Sequence, residues 1–143
     1  MALKIQTKLT GSMKFEALLP TGHTVTMDGD EKVGGNNEGV RPYHLVAVAL
    51  AGCTGMDVLS ILRKKRQHVT AFNIDIQAEQ SDDFPRVFRK IHVHYVITGH
   101  DIDPAAVERS IELSETKYCP VMANLKKDAE IKTEYTIHTA NDL

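Results

Sequence analysis

The chain has 143 residues, which suits one compact domain spanning residues 1–143 with enough buried surface to fold. Apolar residues make up 42% and charged residues 25%, close to the average for globular proteins, so disorder and fibrous structure are excluded. A formal net charge of -2 gives no broad basic field, and we expect neither nucleic acid nor a membrane as a partner.

The first part of the chain predicts a β-meander and a loop. Residues 3–9 and 13–17 alternate apolar and polar side chains, which is typical of two half-buried strands joined by a tight turn. Residues 23–27 form a third strand after a second turn. Residues 29–40 contain four glycines and two asparagines, too flexible a composition for a regular element, and we expect this loop to rim the functional site.

A long helix follows the loop. Pro42 suits its first turn, and no breaker stronger than glycine appears before Gln67, which predicts about seven turns. Residues 45–51 are apolar all round and residues 63–66 are cationic, so we expect the helix to be buried at its start and solvated at its end. Since one domain of this size cannot easily surround a helix, we infer an intertwined homodimer.

The sequence predicts neither a membrane span nor an export signal. The longest apolar run, residues 45–53, is far shorter than the ~20 residues needed to cross a bilayer. Residues 1–20 carry alternating charges where a secretory signal needs an apolar stretch. We therefore expect a cytoplasmic protein, a compartment in which two cysteines favour thiol chemistry over a permanent disulfide.

The second half of the chain predicts strands and helices in separate runs. Residues 72–78 and 87–97 alternate as two long strands. Asp103-Pro104 begins a second helix, which is interrupted at Cys119-Pro120 before a short third helix, and residues 131–137 form a last strand. Because the elements are segregated and do not repeat as βαβ units, the predicted class is α+β, with further antiparallel strands after the long helix.

Cys53 lies on an apolar face of the long helix, with Leu50 one turn before it and Asp57 one turn after it. Gly52 and Gly55 flank it. Each costs ~1 kcal/mol relative to alanine inside a helix, which favours close approach of another backbone or a substrate to the sulfur. The alternative interpretation is an inert buried cysteine.

Cys119 directly precedes Pro120, which places its sulfur at the start of a helix. The positive end of the helix dipole and the nearby Lys117 would stabilise a thiolate, so the sequence predicts a lowered thiol pKa and a nucleophile or good leaving group. The alternative is a cysteine that merely tolerates a helix junction.

No metal and no cofactor are expected. Neither cysteine belongs to a Cys-x-x-Cys pair or to the Cys/His spacing that is typical of zinc sites. His92 and His94 lie two apart on one strand face and could clamp a metal, but a solvent-exposed polar face explains them better.

Two segments resemble the motifs of OsmC/Ohr proteins. The first comprises Val40-Arg41-Pro42 and the run Ala49-Leu50-Ala51-Gly52-Cys53-Thr54-Gly55-Met56-Asp57; the second is Lys117-Tyr118-Cys119-Pro120-Val121. The resemblance implies an α+β fold in which two subunits interlock and bring the two cysteines together at the dimer interface. It also implies a peroxidase in which the cysteine matching Cys53 attacks an organic or hydrogen peroxide and the one matching Cys119 resolves the product as a disulfide.

The resemblance further implies an arginine in the first strands and a glutamate just after the helix-opening proline, which together hold the thiolate charged. This chain has Met13 or Lys14 at the first position and Tyr43 and His44 at the second. These positions therefore depart from the peroxidase pattern.

Nearby residues are expected to take over the missing roles. Glu38, Arg41 and His44 lie at the mouth of the helix and are the candidate substitutes. Asp57 would disfavour a thiolate on Cys53, so a cation must compensate, and Arg41 and Lys117 are the candidates.

Three functions remain open from the sequence. The leading hypothesis is a thiol-dependent peroxide reductase that is reset by an external thiol or dithiol. The second is other thiol chemistry, such as disulfide exchange or capture of an electrophilic metabolite. The third is a non-catalytic dimer whose interface holds a small apolar ligand.

Overall fold

The computed structural model describes residues 2–141. The chain divides into two compact units, with the boundary between Val46 and Ala47. The N-terminal unit contains a β-meander and a loop, and the larger C-terminal unit contains most of the long helix, a second sheet and further helices. The predicted α+β class is therefore confirmed, whereas the expectation that residues 1–143 form one domain stays a prediction.

The N-terminal unit is built on a three-stranded antiparallel sheet, as the alternating pattern predicts. Strands β1 (Gln6–Leu9), β2 (Phe15–Leu18) and β3 (Thr24–Met27) pair in sequence order. The expectation of two half-buried strands is wrong for β1, whose side chains are all exposed. This strand lies at the sheet's edge, and only the central strand buries an apolar side chain, that of Ala17.

The loop after β3 is organised around one carboxylate, that of the buried Asp28. Its Oδ1 accepts from the backbone N–H of Gly29 at 2.8 Å, and its Oδ2 accepts from the N–H groups of Asn36 and Glu38, both at 3.1 Å. The hydrogen bond from Glu38 is the main cause that lowers the pKa of Asp28; burial opposes it, and the other two amides and Lys14 lower the pKa further. We call residues 28–41 the acid-anchored loop.

Arg41 closes the acid-anchored loop. Its guanidinium donates to the carbonyl oxygen of Asp28 at 3.2 Å and to Oδ1 of Asn37 at 2.8 Å. Glycine is required inside the loop at Gly35, because a Cβ there would collide with the carbonyl of Gly29. The predicted loop is thus confirmed as irregular, apart from one 3₁₀ turn at Glu31–Val33, but its backbone is held by specific bonds.

Helix α1 (His44–Lys64) is the predicted long helix, with 21 residues. That length corresponds to about six turns, one fewer than expected. It ends early because Arg66 adopts a left-handed conformation with a φ of 58°. The expected solvated end is confirmed, since residues 63–66 are all exposed. The expected buried start is wrong, because His44, Val48 and Ala49 are exposed and the buried residues form one stripe along the helix: Leu50, Thr54, Val58 and Leu62.

A second sheet contributes much of the core of the C-terminal unit. Strands β4 (His68–Gln80), β5 (Phe88–His100) and β6 (Glu130–Thr139) lie in that order. Strands β4 and β5 are antiparallel as predicted, whereas β6 pairs with β5 in parallel, which differs from the antiparallel arrangement predicted for it. One face of the central strand supplies four buried side chains: Ile91, Val93, Tyr95 and Ile97.

The parallel pairing requires a crossover between β5 and β6. Helix α2 (Pro104–Leu113), a π-helical turn (Ser114–Tyr118) and helix α3 (Pro120–Leu125) supply it. The predicted cap at Asp103 is confirmed, since its carboxylate accepts from the N–H of Ala105 at 3.0 Å. The predicted second helix is therefore an α-helix that continues into a wider π-helical turn just before the second cysteine.

Among the described residues, α1 alone is long and apolar enough to cross a membrane by length and composition. The sequence expectation considered only the uninterrupted apolar run, so it missed this property of the whole helix. In this chain, 28% of the helix's most apolar window is buried. Core helices of proteins that never enter a membrane share this length and composition, so the finding is weak evidence for a span.

Candidate functional site

Two cysteines and an aspartate meet in the C-terminal unit. Cys53 and Asp57 lie one turn apart in α1, and Cys119 directly precedes α3. The two Sγ atoms and a carboxylate oxygen of Asp57 all lie within 4.8 Å of one another. Both cysteines are free thiols, Cys53 half-buried and Cys119 buried, and the fold brings them together as the resemblance implies. We call these three residues the thiol cluster.

Cys119 occupies the predicted position at a helix start, but its acidity is opposite to the prediction. Its Sγ accepts from the backbone N–H of Met122 at 3.3 Å, as an N-cap should. Burial nevertheless raises the pKa of Cys119 to about 11, and a hydrogen bond with the Cys53 side chain raises it further than the Met122 amide lowers it. The expected lowering of the Cys119 pKa is therefore wrong, because desolvation outweighs the effect of the backbone N–H groups at the start of the short helix α3. At neutral pH Cys119 is a protonated thiol.

Asp57 is held by the π-helical turn. The hydroxyl of the buried Ser114, the first residue of that turn, donates to Oδ2 of Asp57 at 3.0 Å. The backbone N–H of Cys119 donates to the carbonyl oxygen of Ser114 at 2.9 Å, which closes the turn. The wider turn therefore sets the positions of Cys119 and of the group that holds Asp57. Single π-helical turns inside helices occur frequently at functional sites.

Two further buried polar groups in the C-terminal unit make fewer hydrogen bonds than they could, and both were missed from the sequence. The hydroxyl of the fully buried Tyr95 makes no hydrogen bond of ordinary geometry. Burial raises the pKa of Tyr95 to about 12, and the neighbouring Thr54 hydroxyl offsets part of that rise. Glu115, Cys119 and Asp57 add to it, because all three are ionised at the high pH where Tyr95 titrates.

Glu115 is the second of these groups. One of its carboxylate oxygens is buried without a hydrogen-bond partner. Burial raises the pKa of Glu115, while a hydrogen bond from Thr133 and the charge of Lys126 lower it. In the sequence, Tyr95 was one of several alternating strand residues and Glu115 one of several acids on a helix. No local signal distinguished them, because their burial results from tertiary packing.

The two glycines beside Cys53 have different surroundings. A Cβ at Gly55 would come within 2.6 Å of Cδ1 of Ile74, so this glycine permits close packing of α1 on strand β4. A Cβ at Gly52 would meet nothing in this chain within 4 Å. At Gly55 the neighbour is a half-buried side chain of the same chain, so the predicted approach of another backbone or a substrate to the Cys53 sulfur stays a prediction at both glycines.

A cavity of about 470 Å³ lies against Asp57. It is bordered by α1 and the π-helical turn, with Tyr118 and Leu113 on one side and Lys64 and Lys65 at the end of the helix. Since Asp57 belongs to the thiol cluster, the cavity provides space for a small molecule beside that cluster. The lysines would favour an anionic or polar group on such a molecule.

The remaining predicted site residues are divided between the two units. Glu38, Arg41, Tyr43 and His44 belong to the N-terminal unit, where Arg41 holds the acid-anchored loop and Glu38 pairs with Lys14 at 3.7 Å. Their roles at the cysteines stay predictions. The ammonium of Lys117, proposed as a compensating cation, lies over the ring of Tyr118 at 5.2 Å.

The histidines of β5 lie on the polar face that the sequence predicts. His92 Nε2 lies 3.2 Å and His94 Nδ1 lies 3.8 Å from Oε1 of Glu134 on the neighbouring strand. His94 also hydrogen-bonds to the hydroxyl of Thr136 at 2.7 Å. Both rings are partly exposed, so this face is a solvated polar surface.

The fold and the site together describe an α+β protein with one thiol on its long helix and a second thiol in the crossover beside it. The sequence profile of the OsmC-like protein family matches residues 34–134. The chain therefore belongs to the OsmC-like family, which confirms the resemblance to OsmC/Ohr proteins.

Relatives match along the whole chain. Protein YhfA of Escherichia coli K12 is 33% identical over 138 residues, which cover 96% of this chain and 100% of that protein. The crystal structure of a protein from Aquifex aeolicus VF5 is 26% identical, covers 99% of both chains and superposes with a TM-score of 0.87. An organic hydroperoxide resistance protein OsmC from Legionella pneumophila is 13% identical over 95% of this chain and 97% of its own, and with a TM-score of 0.69 it shows the shared fold alone.

Proposed function

We propose that this protein is a thiol-dependent peroxide reductase of the cytoplasm, in which Cys53 attacks an organic hydroperoxide and Cys119 resolves the product. The observation that carries the proposal is the pair of free sulfurs that the fold holds within 4.8 Å in a member of the OsmC-like family. The proposed reaction calls for no metal or cofactor.

Each step of the reaction balances. The Cys53 thiolate bonds to one peroxide oxygen, the O–O bond breaks, and the departing alkoxide takes up a proton to leave as an alcohol. Cys53 is then a sulfenic acid. The sulfur of Cys119 displaces its hydroxide, which leaves as water with the thiol proton, and a disulfide forms. An external thiol or dithiol supplies two electrons to restore both thiols.

The unequal environments of the two sulfurs support this division of labour. Cys53 is half-buried and therefore open to a substrate, whereas Cys119 is buried and protonated at neutral pH. A protonated thiol is a poor nucleophile, and it is well suited to wait beside the reacting sulfur and donate a hydrogen bond to it. The hydrogen bond between the two side chains is consistent with that role.

Stopped-flow loss of an organic hydroperoxide, with a dithiol present, tests the activity. We expect Cys53→Ser to abolish turnover. Cys119→Ser should consume one equivalent of peroxide per chain and stop at a sulfenic acid that dimedone labels, or oxidise further. Thr70→Ala, at an exposed position of β4 outside the thiol cluster, is the control and should leave turnover unchanged.

Two outcomes would contradict the proposal. Turnover no faster than that of free cysteine would exclude a peroxide reductase. Dimedone labelling of Cys119 in Cys53→Ser, with none on Cys53 in Cys119→Ser, would reverse the roles of the two sulfurs.

We also propose that the protein works as a homodimer. An apolar stripe on α1 faces away from the buried stripe, with Val48 62% and Met56 77% exposed and the open Gly52 between them. An exposed helix face of this kind in a protein outside the membrane favours a covering partner, and a second copy of the chain is the partner that the family resemblance implies.

The dimer is tested by sedimentation at micromolar concentration. Met56→Glu places a charge on the exposed stripe and should shift the protein toward a folded monomer. Leu50→Asp is unsuitable for this purpose, because Leu50 is fully buried within the chain and the variant would lose its fold. A wild-type protein that sediments as a stable monomer would contradict the proposal.

The second candidate function is other thiol chemistry on a small electrophile. The cavity of about 470 Å³ beside Asp57 favours it, because that space suits a molecule larger than a peroxide. Mass spectrometry after exposure to candidate electrophiles would show an adduct on Cys53 in the absence of peroxide turnover. A ligand that binds equally well to Cys53→Ser would instead indicate a non-catalytic binding protein.

A further inference from the structure

The thiol cluster offers three metal ligands, two from helix α1 and one from the residue before α3. Cys53 Sγ, Cys119 Sγ and a carboxylate oxygen of Asp57 lie within 4.8 Å of one another. Ligand atoms around a tetrahedral zinc ion lie about 3.5–4 Å apart, given metal–ligand bonds of about 2.0–2.3 Å. The three atoms are therefore already close to the positions that such an ion requires, and small side-chain movements would complete the geometry.

The chemistry of the ligands selects the kind of ion. Two sulfurs and one carboxylate oxygen suit a borderline-soft divalent cation such as Zn²⁺, and they suit the oxygen-seeking Mg²⁺ and Ca²⁺ poorly. Ser114 already orients Asp57 through a 3.0 Å hydrogen bond, as an outer group commonly orients a metal-bound carboxylate. Three protein ligands leave the fourth tetrahedral position to water.

We propose that Cys53, Cys119 and Asp57 bind Zn²⁺ reversibly as a three-ligand site, and that zinc occupancy blocks oxidation of the thiols. Binding displaces the thiol protons and forms two sulfur–metal bonds and one oxygen–metal bond. A sulfur whose lone pair is donated to zinc is less available to attack an electrophile. Bound zinc therefore inhibits oxidation of Cys53 and Cys119 reversibly. This regulation of the two thiols goes beyond the proposed peroxide reduction.

The sequence could not indicate this site. Zinc sites are usually recognised by ligands a few positions apart, whereas these ligands come from α1 and from the crossover before α3. Only the packing of the crossover against α1 assembles them. An ion held instead by the exposed His92, His94 and Glu134 side chains on the sheet would have no sulfur ligand, so spectroscopy separates the two cases.

Cobalt is the probe of choice, because Co²⁺ replaces Zn²⁺ and absorbs through its thiolate bonds. Reduced, metal-free protein should bind one Co²⁺ per chain with sulfur-to-cobalt charge-transfer absorption, and Zn²⁺ should abolish that absorption. Cys53→Ser and Cys119→Ser should each lower its intensity by about half. Ser114→Ala should weaken metal affinity roughly 10-fold or more, as removal of an outer partner does. His92→Ala is the control and should change nothing.

Several outcomes would overturn the zinc site. These are binding without charge-transfer absorption, binding that survives both cysteine variants, or half an equivalent of metal per chain, which would indicate an ion shared between two chains. Thiol oxidation by peroxide should also slow with one equivalent of Zn²⁺ and recover with a chelator; an unchanged rate would remove the capping role. Metal titration needs no turnover, so failure of the peroxide activity and failure of the metal site are separate results.

Discussion

The acid-anchored loop and the thiol cluster both contain buried ionisable groups, but their acidities shift in opposite directions. The pKa of Asp28 is lowered, whereas those of Cys119 in the thiol cluster and of Tyr95 and Glu115 in the same unit are raised. Asp28 receives three backbone hydrogen bonds, whereas Cys119, Tyr95 and Glu115 receive too few hydrogen bonds to offset burial. A buried ionisable group with all its hydrogen bonds made stabilises the surrounding structure, whereas one with too few hydrogen bonds has a shifted pKa of the kind often found at functional sites. In this chain, the number of hydrogen-bond donors around a buried group therefore decides the direction of its pKa shift.

The largest expected effect concerns pH at the thiol cluster. Because the pKa of Cys119 is about 11, the fraction of its thiolate rises about tenfold per pH unit until that value is reached. If resolution requires this thiolate, the sulfenic acid on Cys53 should disappear faster as pH rises above 7, by up to about tenfold per pH unit until the Cys119 thiol is ionised. Quenched-flow dimedone labelling measures its lifetime. A lifetime that does not change with pH would show that another group removes the proton.

The second effect concerns the acid-anchored loop. Asp28→Ala removes the acceptor of three amide hydrogen bonds, so hydrogen exchange at Gly29, Asn36 and Glu38 should accelerate by roughly tenfold or more. Because the pKa of Asp28 is lowered, its contribution to stability is present above the ordinary pKa of 3.8 and is lost as pH falls below it. Asp28→Asn should therefore flatten the acid limb of the stability curve. An unchanged limb would assign acid sensitivity to other groups.

A smaller effect is expected at the π-helical turn. Ser114→Ala leaves Asp57 without its hydroxyl donor, so we expect a loss of about 1–2 kcal/mol in the free energy of unfolding. Denaturant unfolding measures the loss. Thr116→Ala, in the same turn but exposed, is the control and should cost less. Equal losses would show that the Ser114 hydrogen bond has no special weight.

The smallest effect, and the one that sharpens the comparison most, is that of Tyr95→Phe. The variant removes a buried hydroxyl without a regular partner, so stability should stay the same or rise by up to about 1 kcal/mol. A thermal unfolding scan tests this expectation. A loss of several degrees would mean that the hydroxyl makes a bond with Thr54 after all. Slower thiol oxidation with unchanged stability would assign the hydroxyl a role in the reaction.

Much of the fold could be predicted, because it depends on local patterns. Alternation indicated the strands, Pro42 and Asp103 indicated the helix starts, and Cys119-Pro120 indicated the start of the third short helix. The parallel pairing of β6 could not be predicted, because alternating side chains occur in both parallel and antiparallel strands. The continuous buried stripe of α1 was missed because an all-apolar segment does not show which of its sides is covered.

The candidate site was predicted in its two sulfurs and in Asp57, but not in its electrostatics. From the sequence, a helix dipole beside Cys119 was visible and its burial was not, so the sign of the pKa shift was wrong. No sequence pattern distinguished Asp28 from the other acidic residues of the chain, although its carboxylate organises the acid-anchored loop. Both errors have one cause: the energy of an ionisable group depends on how many donors the folded chain brings to it.

The crossover that carries Cys119 also determines when the two sulfurs can meet during folding. A parallel strand pair closes only after the connecting segment has folded back, and contacts between distant parts of a chain form slowly. Cys53 and Cys119 therefore remain apart in a chain whose crossover has not docked. The rate at which an oxidant forms the Cys53–Cys119 disulfide during refolding therefore reports how fast the crossover docks and the parallel strand pair forms.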